Sequence, residues 1–297
     1  MVRVALSTAS LHLEEALGHP WYELEADGRG VVKVVHPFIS AGSEIAPPTL
    51  DLLEVPAEIA AHGINTLDLC IQHIPSIDDS YLEELRFALK EANVQLFQLL
   101  IDLGDVTSPD SCERSAGVQT TKRWMEIASE LGAAGVRYVP GNSGPSPETI
   151  RLSAKAFRQL ADYAVKCGLK PATENYKTMA NKADDLLRIL DLSDREYGVI
   201  ADFGNARGPD KFDTLAQLVP HATAIHAWGE CEDDGTLDAA DFRQCLNMVR
   251  DSGFAGPIML LGAHPNETYK RTRDLWGGID ELRREVRAVF GENLQGG

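Results

Sequence analysis

A short β-branched or leucine-rich run followed by an amphipathic helical stretch recurs along the whole chain, and that recurrence constrains the fold more than any other feature of the sequence. Val2 to Leu6 reads as a first strand and Ile64 to Leu69 as a second, reached after the helix Val55 to His62 and Gly63. Val94 to Ile101, Val136 to Val139, Lys170 to Glu174, Tyr197 to Asp202, Ala222 to Ala227 and Pro257 to Leu261 supply six more. Helical periodicity fills the intervals: Asp79 to Ala92, Thr121 to Leu131, Pro147 to Cys167, Lys182 to Leu190, Thr214 to Leu218 and Ala239 to Ser252, with Asp280 to Phe290 closing the series. Gly63, Gly132, Gly135, Gly168 and Gly253 are read as helix C-termini, where glycine relieves left-handed backbone. Helical period giving way repeatedly to short buried runs describes parallel βαβ units, not an antiparallel sheet. Eight such units predict an α/β fold, a single (β/α)8 TIM barrel domain over residues 1–297. A doubly wound open sheet is the competing arrangement, but no glycine-rich phosphate loop follows the first strand.

Residues from about 11 to 48 separate the first strand from its helix and exceed what one unit needs. Long loops after strands gather at the C-terminal face of a barrel, so this insertion is expected to be either a lid over that face or a decoration. The net charge of −17 argues against nucleic acid and, more weakly, against anionic membrane surfaces, because no Lys/Arg density is available to neutralise phosphates. The 5 cysteines, an odd number with no C-x-x-C pair, suit free thiols in a reducing compartment. The apolar run at Met1 to Ser7 is too short for a signal peptide, and no stretch approaches the ~18 apolar residues of a membrane span. A cytoplasmic protein is expected. Homo-oligomerisation stays open, since no segment identifies an interface.

In such a barrel, polar residues at the C-terminal ends of strands share one mouth. Strand two offers Asp68 and then His73, strand five ends in Glu174-Asn175, strand six in Asp202 and strand seven in His226. From 174 to 202 to 226 the steps are 28 and 24 residues, each about one βα unit, so the three side chains are expected at one height on neighbouring strands. Two carboxylates and an imidazole together suit a hard or borderline divalent cation, which can polarise a carbonyl or bind adjacent hydroxyls. A single acid at a strand end serves equally well as an ion-pair partner or a helix cap.

The runs Gly63-Ile-Asn-Thr-Leu-Asp-Leu-Cys with His73-Ile-Pro-Ser, Thr173-Glu-Asn, Ile200-Ala-Asp-Phe-Gly-Asn and Ala224-Ile-His-Ala-Trp-Gly-Glu resemble the strand ends of xylose isomerase-like barrels, the sugar phosphate isomerase/epimerase superfamily. Glu130-Leu-Gly-Ala-Ala-Gly-Val-Arg-Tyr-Val is similar to the entrance to the fourth strand, and Gly253-Phe-Ala-Gly-Pro-Ile-Met-Leu to the run into the eighth. The resemblance implies a metal-dependent enzyme acting on a sugar, polyol or keto-sugar by proton transfer beside a carbonyl. It places the metal ligands on Glu174, Asp202 and His226, for a divalent cation such as Mn, Mg, Co, Zn or Fe. The abasic-site endonuclease branch needs further His and Glu ligands and a basic groove, which this acidic chain lacks.

Two departures narrow the expectation. The family usually ends strand eight with a glutamate, the fourth ligand and a second base, whereas this chain has Leu261, then Gly262-Ala-His264. The family's Asp-x-x-His on strand six is here Asp202-Phe-Gly-Asn205. Without a second base, two-carboxylate epimerisation is disfavoured, leaving isomerisation or elimination with Glu174 as base and His73 or Glu230 as the group that protonates a leaving group. Asn175, Asn205, Trp228, Lys177 and His264 are the candidate substrate contacts. Trp228 would stack on a sugar ring, Lys177 and Arg207 would bind a phosphate or carboxylate, and His264 or Glu230 would substitute for the missing ligand. The alternative is a non-catalytic sugar-binding or scaffold homologue that lost its metal along with the strand-eight glutamate.

Overall fold

A computed structural model describes residues 1–11, 50–232, 236–261, 275–291 and 294–295. In chain order the elements are β1 (Val2–Ser7), α1 (Val55–Ala61), β2 (Thr66–Cys70), α2 (Asp79–Glu91), β3 (Gln95–Ile101), α3 (Ser111–Glu130), β4 (Gly135–Tyr138), α4 (Pro147–Lys166), β5 (Lys170–Glu174), α5 (Ala183–Ser193), β6 (Gly198–Asp202), α6 (Lys211–Leu218), β7 (Ala222–Trp228), α7 (Ala239–Asp251), β8 (Pro257–Leu261), α8 (Leu275–Phe290) and a short β9 (Leu294–Gln295). Strands β1 to β8 are all parallel, and β1 pairs with both β8 and β2, which closes the sheet into a barrel. β9 adds to β1 at its N-terminal end. The fold is the (β/α)8 TIM barrel. The expected insertion at about 11–48 lies, apart from Leu11, outside the described residues. Among the described residues no helix is long and apolar enough to cross a membrane.

The core has two compartments. The larger lies between the sheet and the helices. α4 shows how a helix reaches it: Ile150, Ala154, Phe157, Leu160, Ala161 and Ala164 form one buried stripe at three- and four-residue spacing. Its start is fixed by Pro147 in the first turn and by a reciprocal capping box, in which Thr149 N–H donates to Ser146 Oγ and Ser146 N–H to Thr149 Oγ1. Its end is Gly168, at φ +76°. Phe157 is fully buried against the rings of Tyr138 and Tyr197, and burial of such a side chain stabilises the fold by about 1.5–3 kcal/mol. The smaller compartment is the barrel interior, where Ala5, Met259 and Leu261 pack with Ala9, Phe97 and Trp228 against them.

Two local expectations are corrected. Gly63, Gly132, Gly168 and Gly253 do leave helices at φ +73° to +78°, but Gly135 opens β4 instead. A Cβ there would stand 2.7 Å from the Lys170 carbonyl oxygen, so its role is the close approach of β4 to β5. Helix α3 begins at Ser111, ten residues before the expected Thr121, because Asp110 caps it by accepting from Cys112 N–H at 2.8 Å.

Candidate functional site

The barrel turns alternate residues of each strand inward, and at the C-terminal ends of β5, β6 and β7 these are Glu174, Asp202 and His226. Asp202 and His226 are direct partners in the β6–β7 register. One ligating atom from each of the three lies within 4.8 Å of the other two, and all three residues are buried. His226 Nδ1 faces both acids, 3.0 Å from Glu174 Oε2 and 3.4 Å from Asp202 Oδ2. Its other nitrogen, Nε2, hydrogen-bonds Asp68 Oδ2 at 3.2 Å across the barrel from β2. A carboxylate behind the imidazole fixes ring orientation and tautomer, and histidines that bind metals through the opposite nitrogen are held in this way.

Asn175 fixes the acids relative to one another. Its side-chain amide donates to the Asp202 carbonyl at 2.9 Å and accepts from Asp202 N–H at 2.8 Å, tying the end of β5 to the end of β6. Asn205 N–H donates to Asp202 Oδ1 at 2.9 Å, which leaves Oδ2 turned to His226.

Arg137, on β4, is the functional neighbour that the sequence reading passed over. It is buried, pairs with the Asp102 carboxylate, and places Nη2 3.3 Å from Glu174 Oε1. The strand pattern alone does not single it out, since an arginine beside Tyr138 reads as ordinary alternation. Burial pushes the Glu174 carboxyl up, but Arg137 and His226 outweigh it and hold it below the ordinary carboxylate range. Asp202 is raised by burial, with Glu174 adding to the effect, and Asp68 is also raised by burial. Burial opposes protonation of His226, yet its contacts with Asp202, Asp68 and Glu174 raise it well above the usual histidine value.

These groups fit a divalent cation on two counts. Glu174 Oε2 is buried and makes no hydrogen bond even though it lies 3.0 Å from Nδ1. An ionised carboxylate oxygen without a donor is costly in a protein interior unless something positive meets it. Secondly, the buried acids Asp68, Glu174 and Asp202 gather around one imidazole and one guanidinium, and that guanidinium, Arg137, is shared with Asp102. A divalent cation held by Glu174, Asp202 and His226 Nδ1 would balance these acids.

The other residues singled out from sequence are distributed around the mouth. His73 is buried beyond β2, with Nδ1 2.8 Å from Thr8 Oγ1 at the end of β1. Lys177, after β5, donates to Asn142 Oδ1 at 2.9 Å and to the Asp102 carbonyl at 3.3 Å. Trp228 is half-buried beside Leu261 and lies over Gly204, where a Cβ would come within 2.6 Å of the indole. Glu230 is partly exposed, 3.6 Å from Lys211 Nζ, which itself pairs with Asp241 at 2.6 Å. Arg207 is exposed and donates through Nε to the Gly204 carbonyl at 2.6 Å. Leu261 is 4 % exposed in the apolar interior cluster, so no described carboxylate stands at the end of β8. His264 lies outside the described residues.

Residues 56–277 match the family described as xylose isomerase-like TIM barrels. A comparison with curated proteins finds no significant sequence match. Among solved structures, the chain is similar to the IolI protein with a binding zinc atom (TM-score 0.68, 16 % identity, 99 % of each chain covered). It is also similar to a xylose isomerase-like TIM barrel protein from Mycobacterium smegmatis in complex with magnesium (TM-score 0.63, 16 % identity, 97 % of each chain). A third is 3-keto-D-glucoside 4-epimerase from E. coli (TM-score 0.59, 17 % identity, 84 % of this chain and 97 % of that one). At such identities the likenesses speak to the fold.

Proposed function

The chain belongs to the family of xylose isomerase-like TIM barrels, and on that footing we propose that it is a cation-dependent enzyme acting on a sugar, polyol or keto-sugar by removing a proton beside a carbonyl. The observation that carries this reading is the meeting of Glu174, Asp202 and His226 at the mouth with an unsatisfied buried carboxylate oxygen. Sugar epimerases among the structurally similar proteins support it, as do neighbours that hold zinc or magnesium. A divalent cation held by Glu174, Asp202 and His226 would supply Lewis acidity toward a carbonyl or hydroxyl oxygen.

The chain's own residues divide the remaining work. Glu174, kept ionised beside Arg137, accepts the proton from the carbon next to the carbonyl. Asn175 and Asp68 hold Asp202 and His226 in place. Of the two proposed proton donors, His73 is the better placed, since it is buried at the mouth, whereas the Glu230 carboxylate lies toward Lys211. Asn205, Trp228, Lys177 and His264 are the proposed substrate contacts. Leu261 offers no second base, which favours isomerisation or elimination over two-carboxylate epimerisation. The same leucine also supports the second reading, a non-catalytic sugar-binding homologue.

The test is proton exchange. Manganese-loaded protein incubated in D2O with a panel of ketoses, aldoses and keto-acid sugars is expected to place deuterium beside the carbonyl of at least one of them, read by NMR. Glu174→Gln is expected to slow exchange by about 100-fold or more. A sugar that binds without any exchange would favour the non-catalytic reading.

A further inference from the structure

The two sides of the barrel mouth differ in chemistry. Toward β8 it is apolar, with Leu261 at the end of the strand beside Trp228. Toward β3, β4 and β5 it carries Asp102, Asn142, Tyr176 and Lys177.

Lys177 has φ +59° and ψ 178°, a backbone region that glycine alone occupies without strain. Glycine would suit this position better, yet the chain places its longest amine here. The strained backbone carries Nζ over the ends of β3 and β4, where it meets only neutral oxygens, Asn142 Oδ1 at 2.9 Å and the Asp102 carbonyl at 3.3 Å. The Asp102 carboxylate is turned to Arg137 instead, and among the described residues no acid pairs with Lys177. An ammonium has three donors, so one is left over. Burial lowers the Lys177 pKa, with Arg137 adding to the effect, and the more distant carboxylates of Asp102 and Asp105 offset it only in part. Tyr176 lies between two cations, its ring centroid 5.6 Å from Lys177 Nζ and 5.7 Å from the Arg137 guanidinium.

We infer that Lys177, with Asn142 beside it, is the seat of a substrate carboxylate, so that the substrate is a sugar acid rather than a neutral sugar. This rests on the site being that of a sugar enzyme, and names its substrate class. A single ammonium with one amide suits a monoanion. A phosphate dianion would call for more donors, and Arg207, the other cation just past a strand end, is exposed and spends Nε on the Gly204 carbonyl. The neutral remainder of the sugar would then lie across Glu174, Asp202 and His226, with its apolar face toward Trp228 and Leu261.

The test is calorimetric titration of the manganese-loaded full chain with D-gluconate, D-galactonate, D-glucuronate and D-galacturonate, against D-glucose, D-galactose and their 6-phosphates. At least one acid is expected to bind about ten- to a hundred-fold more tightly than its neutral parent. Lys177→Met is expected to erase that margin while still taking up one manganese per chain, and Lys177→Arg to keep part of it. Asn142→Ala, expected to reduce the margin, serves where Lys177→Met does not fold. Equal affinity for acid and parent, absence of binding by every acid, tighter binding of a phosphate, or a margin that survives Lys177→Met would each overturn the inference. Manganese uptake separates the two claims. A wild-type chain that takes up no manganese undermines the catalytic reading itself, whereas normal uptake without a preference for acids overturns only the substrate class.

Discussion

Arg137 lies between the carboxylates of Asp102 and Glu174 inside the barrel, and its loss would strand both. Removing one partner of a buried ion pair leaves an uncompensated charge, so Arg137→Met is expected to destabilise the cation-free protein by about 3–5 kcal/mol in urea denaturation. A loss under about 1 kcal/mol would show that the pair is solvated. Asn175→Ala tests a different contribution. It frees the Asp202 backbone from two buried hydrogen bonds and is expected to weaken manganese binding by about 10- to 100-fold, measured by calorimetry. Unchanged affinity would mean that the clamp does not position the ligand. At this scale the cluster of Glu174, Asp202 and His226 was legible because its members end consecutive strands one βα unit apart. Arg137 was not, since a strand arginine beside Tyr138 reads as ordinary inside–outside alternation. Asp68 was visible as a strand-end acid, but its place behind His226 depends on a contact across the barrel between residues 158 apart in sequence.

The elements were legible wherever apolar spacing is strong, and strand ends fell within two residues of expectation. Helix α3 was shortened in the reading because Ser111, Cys112, Glu113 and Ser115 are exposed and show no apolar stripe before Gly117 and Val118. Its first turns are held instead by local chemistry, the Asp110 cap. Asp110→Ala is therefore expected to cost about 1 kcal/mol, seen as a lower urea midpoint with an unchanged m-value. Gly135→Ala sets a Cβ against a backbone oxygen with no flexible side chain to yield, and is expected to cost about 1–3 kcal/mol by the same measurement. If this substitution were tolerated without loss, β4 and β5 could separate more easily than their register suggests.

For the whole molecule, closure of eight parallel strands brings residues far apart in sequence to one end, and it is this closure that converts scattered acids into a site. The repeat unit made the barrel legible. The apolar half of its interior was less so, because Leu261 registers in sequence as a missing glutamate, not as a partner of Met259, Ala5 and Trp228. The barrel also couples site to stability, since a cation that binds only the folded chain must raise its melting temperature. The most direct measurement of the central claim is calorimetric titration of chelator-stripped protein with manganese, comparing the wild type with Glu174→Gln, Asp202→Asn and His226→Ala. One cation per chain in the wild type, with affinity lost in each variant, is the predicted result. Absence of binding, or binding that all three substitutions leave intact, would contradict it.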